Sequence, residues 1–160
     1  MFNIQYSMIN KFRKGFTLIE LLVVIGVLAV IAAGVVALIN PQDKLYAAND
    51  AKVQSDMGNI ATAAQAYAAT HNGFYPATLA NMDNSAAGSG DLSAIPAAPT
   101  GYTAYAVVNT PAGCTAGTTC TGFTITGQLK SKKYSATTFW RWESSSGKAC
   151  PVATAATVCP

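Results

Sequence analysis

One short stretch decides how this chain is organised: Arg13-Lys14-Gly15-Phe16-Thr17-Leu18-Ile19-Glu20, followed directly by Leu21–Ile39. The second segment is almost entirely apolar, and no charged residue lies between Leu21 and Gln42. At a rise of about 1.5 Å per residue, this segment spans roughly 28 Å as a helix, which is close to the thickness of the hydrocarbon core of a bilayer. The sequence therefore predicts a helix that crosses a membrane.

Positive charge precedes that helix and sets its orientation. Lys11, Arg13 and Lys14 lie just before it, and no acidic residue occurs ahead of Glu20. By the positive-inside rule, the N-terminus stays in the cytoplasm and the remainder of the chain is exported. We therefore expect a single-pass precursor in the cytoplasmic (inner) membrane, with its C-terminal part outside.

The cysteines agree with export, because disulfides persist in oxidising compartments. Four cysteines allow three connectivities, which the sequence leaves open. The pairs Cys114–Cys120 and Cys150–Cys159 are favoured because each closes a short loop rich in glycine, threonine or alanine. Neither spacing is that of a zinc-binding C-x-x-C motif, and the single histidine, His71, is distant from every cysteine. The sequence predicts no metal site.

The composition argues against an enzyme. The chain has 160 residues, of which 51% are hydrophobic and only 11% are charged, under half of the roughly 25% charge of a typical soluble domain. Apart from the three basic residues near the N-terminus, Lys and Arg equal Asp and Glu in number, at seven each. This balance argues against nucleic-acid binding by bulk charge. We predict no catalytic residue and no cofactor.

A second helical segment follows the apolar one. Apolar residues between 44 and 70 recur at spacings of three, four and seven, which place them on one helical face: Tyr46, Val53, Met57, Ile60, Ala64 and Tyr67. If Pro41 kinks the helix without breaking it, the helix runs from about Phe16 to Thr70. Gly73 and Pro76 predict its end.

The remaining residues predict a small head. Three runs are typical of strands, namely Tyr102–Asn109, Gly122–Leu129 and Thr137–Glu143. The expected fold is α+β: a long N-terminal helix with a hydrophobic and an amphipathic half, packed on a small antiparallel sheet. Its predicted segments are a leader (1–15), a transmembrane or filament-core helix (16–40), an amphipathic half-helix (41–72) and a globular head (73–160).

Glu20 is the chemical oddity of the apolar region. A carboxylate inside a membrane segment is costly and by default indicates function. A negative charge at the start of a helix is well placed to meet an N-terminal amine, if the chain begins near Phe16. Gly15 would offer a peptidase an unhindered scissile bond.

The sequence Gly-Phe-Thr-Leu-Ile-Glu at residues 15–20, between a basic leader and an apolar helix, resembles the type IV pilin and pseudopilin family with its class III signal peptide. The resemblance covers about the first 25 to 35 residues. It implies that prepilin peptidase cuts between Gly15 and Phe16 and methylates the new Phe16 amine. It also implies that Glu20 neutralises the Phe16 amine of a neighbouring subunit during assembly.

The same resemblance implies the partners. The chain would polymerise with copies of itself into a helical filament, would be processed by prepilin peptidase, and would depend on an inner-membrane assembly platform and an assembly ATPase. Membrane lipid would surround the helix before assembly, and the filament would be extracellular. Many family members carry a proline inside the apolar stretch, whereas the first proline here is Pro41.

Several alternatives stay open at this stage. Residues 1–39 would serve equally as a plain signal anchor, or ordinary signal peptidase would cut near Ala29–Gly34, although neither explains Glu20. Within the family, the chain would be a major pilin for adhesion, twitching motility or DNA uptake, a pseudopilin of a type II secretion system, or a minor pilin with a ligand-binding head. For the last role the sequence offers one basic cluster near aromatic residues, a candidate contact for ligand or DNA: Lys130, Lys132, Lys133 and Arg141.

Overall fold

The computed structural model describes residues 15–84, 88–134 and 138–159, and leaves the side chain of Ala37 undescribed. The basic residues of the predicted leader, Lys11, Arg13 and Lys14, lie outside the described residues. The chain divides into two compact units, Met1–Asn40 and Pro41–Pro160.

The first unit contains one helix, α1, from Leu18 to Ile39. Within it, Leu18–Val36 has a mean hydropathy of 2.8 and is long and apolar enough to cross a membrane. None of that window is buried within the structure. Because apolar side chains point outward on every side, the helix is suited to a surrounding of lipid or of other helices.

The second unit begins with α2, which runs from Pro41 to Thr70. A continuous helix from about Phe16 to Thr70 was expected if Pro41 kinked the helix without breaking it. The structure instead interrupts the helix at Asn40, which adopts a left-handed backbone with φ 43° and ψ 77°. A residue that precedes proline is disfavoured in the right-handed helical region, and asparagine tolerates the left-handed one. Pro41 then occupies the first helical position, where its missing N–H costs nothing.

A four-stranded antiparallel sheet follows in the order β1-β2-β3-β4. Its strands are β1 (Ala106–Thr110), β2 (Gly122–Gln128), β3 (Phe139–Glu143) and β4 (Lys148–Val152). The α+β arrangement of a helix with a small antiparallel sheet is confirmed.

Two strand predictions differ from the structure. The first strand starts at Ala106 and not at Tyr102, while Thr137, predicted to start the third, lies outside the described residues. The fourth strand was not predicted, because Pro151 lies within it and a serine-rich turn precedes it. Proline is tolerated there because β4 is an edge strand.

The hydrophobic core lies between α2 and one face of the sheet. Five of the six residues on the predicted helical face are buried, and Tyr46 is half-buried. They pack on β2, where Phe123 and Ile125 are each no more than 1% exposed. Gly127 permits the closest approach, since a Cβ at this position would lie 2.7 Å from Val53 Cγ1 and 2.8 Å from Met57 Cε.

A buried carboxylate ties α2 to the chain beyond β2. Asp50 is 1% exposed. It accepts hydrogen bonds from the backbone N–H groups of Lys130 and Ser131, both at 2.9 Å, and from the Tyr102 hydroxyl at 2.8 Å. Burial by itself would raise the pKa of Asp50, but these hydrogen bonds outweigh burial and hold its pKa below the ordinary value.

We expect Asp50→Asn to destabilise the second unit by about 2–3 kcal/mol, because an amide replaces one acceptor oxygen with a donor that faces buried N–H groups. Thermal unfolding of the full chain in detergent micelles, followed by near-UV circular dichroism, should show a melting temperature lower by about 10 °C. Asp91→Asn, in a loop, serves as the matched control with a loss below about 1 kcal/mol. Equal melting temperatures for the two variants would contradict the role of Asp50.

The same carboxylate predicts a pH dependence. Because the pKa of Asp50 is lowered on folding, its contribution is complete above the unfolded value of about 4 and is lost as the pH falls through the lower folded value. Below pH 4, the stability of the wild-type chain should therefore fall more steeply with pH than that of Asp50→Asn.

Candidate processing and assembly site

The bond between Gly15 and Phe16 lies in open, non-helical chain just before α1. Both residues are exposed, and the Phe16 side chain is 83% exposed. A Cβ added at Gly15 would meet no atom within 4 Å. A peptidase would therefore find an accessible backbone at this bond.

Thr17 and Glu20 form a reciprocal capping box at the start of α1. The Glu20 carboxylate oxygen Oε2 accepts from the Thr17 backbone N–H and from the Thr17 hydroxyl, both at 2.9 Å. In return, the Glu20 N–H donates to Thr17 Oγ1 at 3.3 Å. The cap satisfies N–H groups that the first turn of a helix leaves without partners.

The carboxylate therefore lies at the positive end of the helix dipole, among exposed apolar neighbours. Leu18 is 81% exposed and Ile19 is 69% exposed. Both local hydrogen bonds go to one oxygen of Glu20, Oε2. A cationic group that arrived there would meet a charge already held in one position.

Residues 10–36 match the family model described as the prokaryotic N-terminal methylation motif. This motif is the one found in the class III signal peptide of type IV pilins. No curated protein and no solved structure matches the chain.

The methylation motif includes the candidate site and most of α1. It implies self-assembly and processing by prepilin peptidase, and together with the apolar helix it fits a membrane-anchored precursor. Members of the type IV pilin family are structural proteins, not enzymes. The motif ends before the second unit, so the head has to be interpreted from its own contacts.

The structure does not bring the four predicted basic residues together. Lys132 and Lys133 are exposed in the turn after β2. Lys130 is half-buried, its ammonium bonds to the Gly101 carbonyl, and it lies 5.1 Å from the centre of the Tyr102 ring. Arg141 lies on the face of the sheet opposite α2, and its side chain is 12% exposed.

Arg141 holds the C-terminal loop on the sheet. Its guanidinium pairs with Glu143, which is itself buried, and donates to the Ala155 carbonyl. The Cys159 N–H also donates to Glu143, at 3.4 Å. Arg141 is therefore part of the packing, and the expectation that it shares a ligand surface with the lysines is wrong. No sequence pattern indicates this arrangement, because the loop residues that cover Arg141 are small and follow no regular spacing.

Two disulfides close loops of the second unit. Cys114 is joined to Cys120, and Cys150 is joined to Cys159. The first loop lies against the end of α2, where Gly117 approaches His71 and the Tyr75 N–H donates to the Cys120 carbonyl at 2.8 Å. Among the residues that the structure describes, no group of three or more His, Cys, Asp or Glu side chains is placed to hold a metal ion.

We expect Arg141→Ala to lower the stability of the second unit by about 2–3 kcal/mol, because it leaves the buried Glu143 carboxylate without its cation. Lys132→Ala, at an exposed position, is the control and should change stability by less than about 0.5 kcal/mol. Thermal unfolding of the full chain in micelles measures both values. A stable Arg141→Ala variant would show that the ion pair contributes little to the fold.

Proposed function

We propose that the chain is a structural subunit of a type IV pilus, which polymerises through α1 into a surface filament used for adhesion, twitching motility or DNA uptake. The observation that supports this proposal is the position of Glu20: one carboxylate, in the first turn of an otherwise apolar and exposed helix, as the fifth residue after the Gly15–Phe16 bond. The methylation motif across the same residues supports it independently.

Assembly follows from the properties of α1. Removal of residues 1–15 deletes the basic leader and creates an amine at Phe16. Subunits then exchange lipid contacts for contacts between apolar helices, so the hydrocarbon-like surface stays covered throughout. An unpaired carboxylate in such a bundle is costly, and subunits therefore come to rest where Glu20 meets the Phe16 amine of a neighbour. The energy of extraction comes from a partner ATPase.

A major pilin is favoured over a pseudopilin by the exported unit. Two disulfides close its loops, whereas the described part of the chain offers no grouping of acids for a metal ion. We propose the pilus role on this ground and keep the secretion role as the alternative. Abundance in sheared surface fractions would support the pilus role, and scarcity there would support the secretion role.

Processing is tested by intact mass and N-terminal sequencing of the protein from a surface-sheared fraction. We expect a chain that begins at N-methyl-Phe16 and is four hydrogens lighter than its fully reduced form, since two disulfides remove two hydrogens each. A chain that begins at Met1, or one cut near Ala33, would contradict the proposal.

The assembly role is tested by variants that separate charge from capping. Glu20→Gln keeps an acceptor for the Thr17 cap but removes the charge, and Glu20→Ala removes both. We expect both variants to be cleaved after Gly15, and both to lower the yield of sheared filaments at least tenfold in quantitative immunoblots. Thr17→Val is the matched control, because it weakens the cap and keeps the charge.

If Thr17→Val assembles and the two Glu20 variants do not, the charge carries the function. Normal filaments from Glu20→Gln would overturn the proposed pairing with the amine. Loss of cleavage in the same variant would instead assign Glu20 to peptidase recognition.

A further inference from the structure

Exposed lysines gather at one end of the second unit, beside the first turns of α2. Lys44 lies in α2, and Lys132 and Lys133 lie in the turn that follows β2; all three side chains are exposed. The turn is fixed to the helix through its backbone, since the Lys132 N–H donates to Asp43 Oδ1 at 2.7 Å. We call Lys44, Lys132 and Lys133 the basic pole.

One lysine of the basic pole, Lys133, lines a groove beside α2. Lys133 and Tyr134 line a cavity of about 270 Å³, together with Ala47 and Ala51 of α2. Lys44 precedes these alanines by three and seven residues, which places it on the same side of the helix. The Lys133 ammonium lies 5.3 Å from the centre of the Tyr134 ring. The groove thus combines the Lys133 side chain with small apolar residues, an aromatic ring and two carboxylates, Asp43 and Asp50.

The nearby carboxylates are engaged by the backbone. Asp50 is buried and accepts from the N–H groups of Lys130 and Ser131. Asp43 accepts from the backbone N–H of Lys132, so the peptide groups of the turn face the carboxylates. The lysine side chains, which are exposed, extend from this fixed backbone into solvent.

Chain connectivity keeps the basic pole near the membrane. The segment apolar enough to span the bilayer ends at Val36, and Asp43 follows seven residues later. Seven residues cover about 10 Å as a helix and about 25 Å when fully extended. The polar head-group layer begins where the span ends and is about 5–7 Å thick. The tether therefore holds these lysines close to the outer surface of the membrane.

We propose that the basic pole binds the anionic phospholipid head groups of the membrane that anchors the unassembled subunit. The proposal rests on the anchoring that the proposed function includes. Each lysine near an anionic surface strengthens binding about fivefold, and an aromatic ring such as that of Tyr134 belongs at the interface between lipid and water. The contact holds the head against the bilayer until the subunit is extracted. Lys130 and Arg141, which are engaged within the fold, take no part.

The test is lysine acylation of the full chain in nanodiscs, read residue by residue by mass spectrometry. One set of discs contains phosphatidylcholine alone, and the other contains 30% phosphatidylglycerol. We expect acylation of all three lysines of the basic pole to be slowed at least about threefold by phosphatidylglycerol, and the effect to disappear in 0.5 M NaCl. Lys148 is the control within the chain, because strand register places it, opposite Glu143, at the other end of the sheet from Gln128.

A matched pair of variants tests whether the lysines act together. Lys132→Gln combined with Lys133→Gln should reduce the lipid protection of Lys44, whereas Lys148→Gln should not. Equal acylation rates in the two kinds of disc, or slowing of Lys148 to the same extent, would overturn the proposal. Protection by duplex DNA but not by phosphatidylglycerol would also overturn it and would assign the basic pole to nucleic acid. A chain that fails to enter the discs would contradict the anchoring itself, which separates the two failures.

Discussion

The helix Leu18–Ile39 presents apolar side chains on every side, and this constraint governs the chain from its first described residues onward. Nothing in the structure buries the part that is long enough to span a bilayer. An apolar surface of this extent is stable only where lipid or other helices cover it. The same helix can therefore serve in a membrane and in a bundle of subunits, because both surroundings satisfy the same requirement.

The apolar surface of α1 is nearly uniform, so in the proposed filament the Glu20 charge would determine how neighbouring helices align. Contacts between aliphatic side chains change little when two helices slide along each other, so they do not define a register. In the proposed filament Glu20 would define the register, because a carboxylate in apolar surroundings has a strong preference for a single cationic neighbour. Thr17 contributes by holding one carboxylate oxygen at the helix start. We therefore regard capping and assembly as two uses of the same side chain.

The sequence predicted the features that depend on local pattern. Helical periodicity placed Val53, Met57 and Ile60 in the core, and the apolar run predicted α1. The sequence did not predict features that depend on contacts between residues far apart along the chain. Asp50 is separated from its partners at Lys130 and Ser131 by about eighty residues, and no spacing rule connects them.

Three features differ from the sequence-based expectation, because tertiary contacts or chain position outweigh the local sequence pattern. Pro41 predicted a kink in one helix, whereas in the structure the helix is interrupted at Asn40, which adopts the left-handed backbone conformation. The strand Lys148–Val152 contains a proline that normally argues against a strand, but its position at the edge removes the need for that N–H. Arg141 was a candidate ligand contact because it lies near lysines and aromatic residues in the sequence, whereas in the structure the C-terminal loop covers it.

The second unit is stable although little of it is regular secondary structure. Between α2 and β1 the described residues contain only the short helix Leu79–Asn81, and the four strands are each seven residues long or shorter. Such a unit cannot depend on extended sheet pairing, and it is held instead at separate points: the Asp50 carboxylate, the Arg141–Glu143 pair and two disulfides. Each point fixes one loop to α2 or to the sheet, so the stability of one loop depends little on the sequence of the others. Since disulfides stabilise mainly by restricting the unfolded chain, the surface residues of their loops are free to vary. In the proposed filament role this arrangement would be an advantage, because the exposed loops can change in sequence while the helix that assembles stays the same.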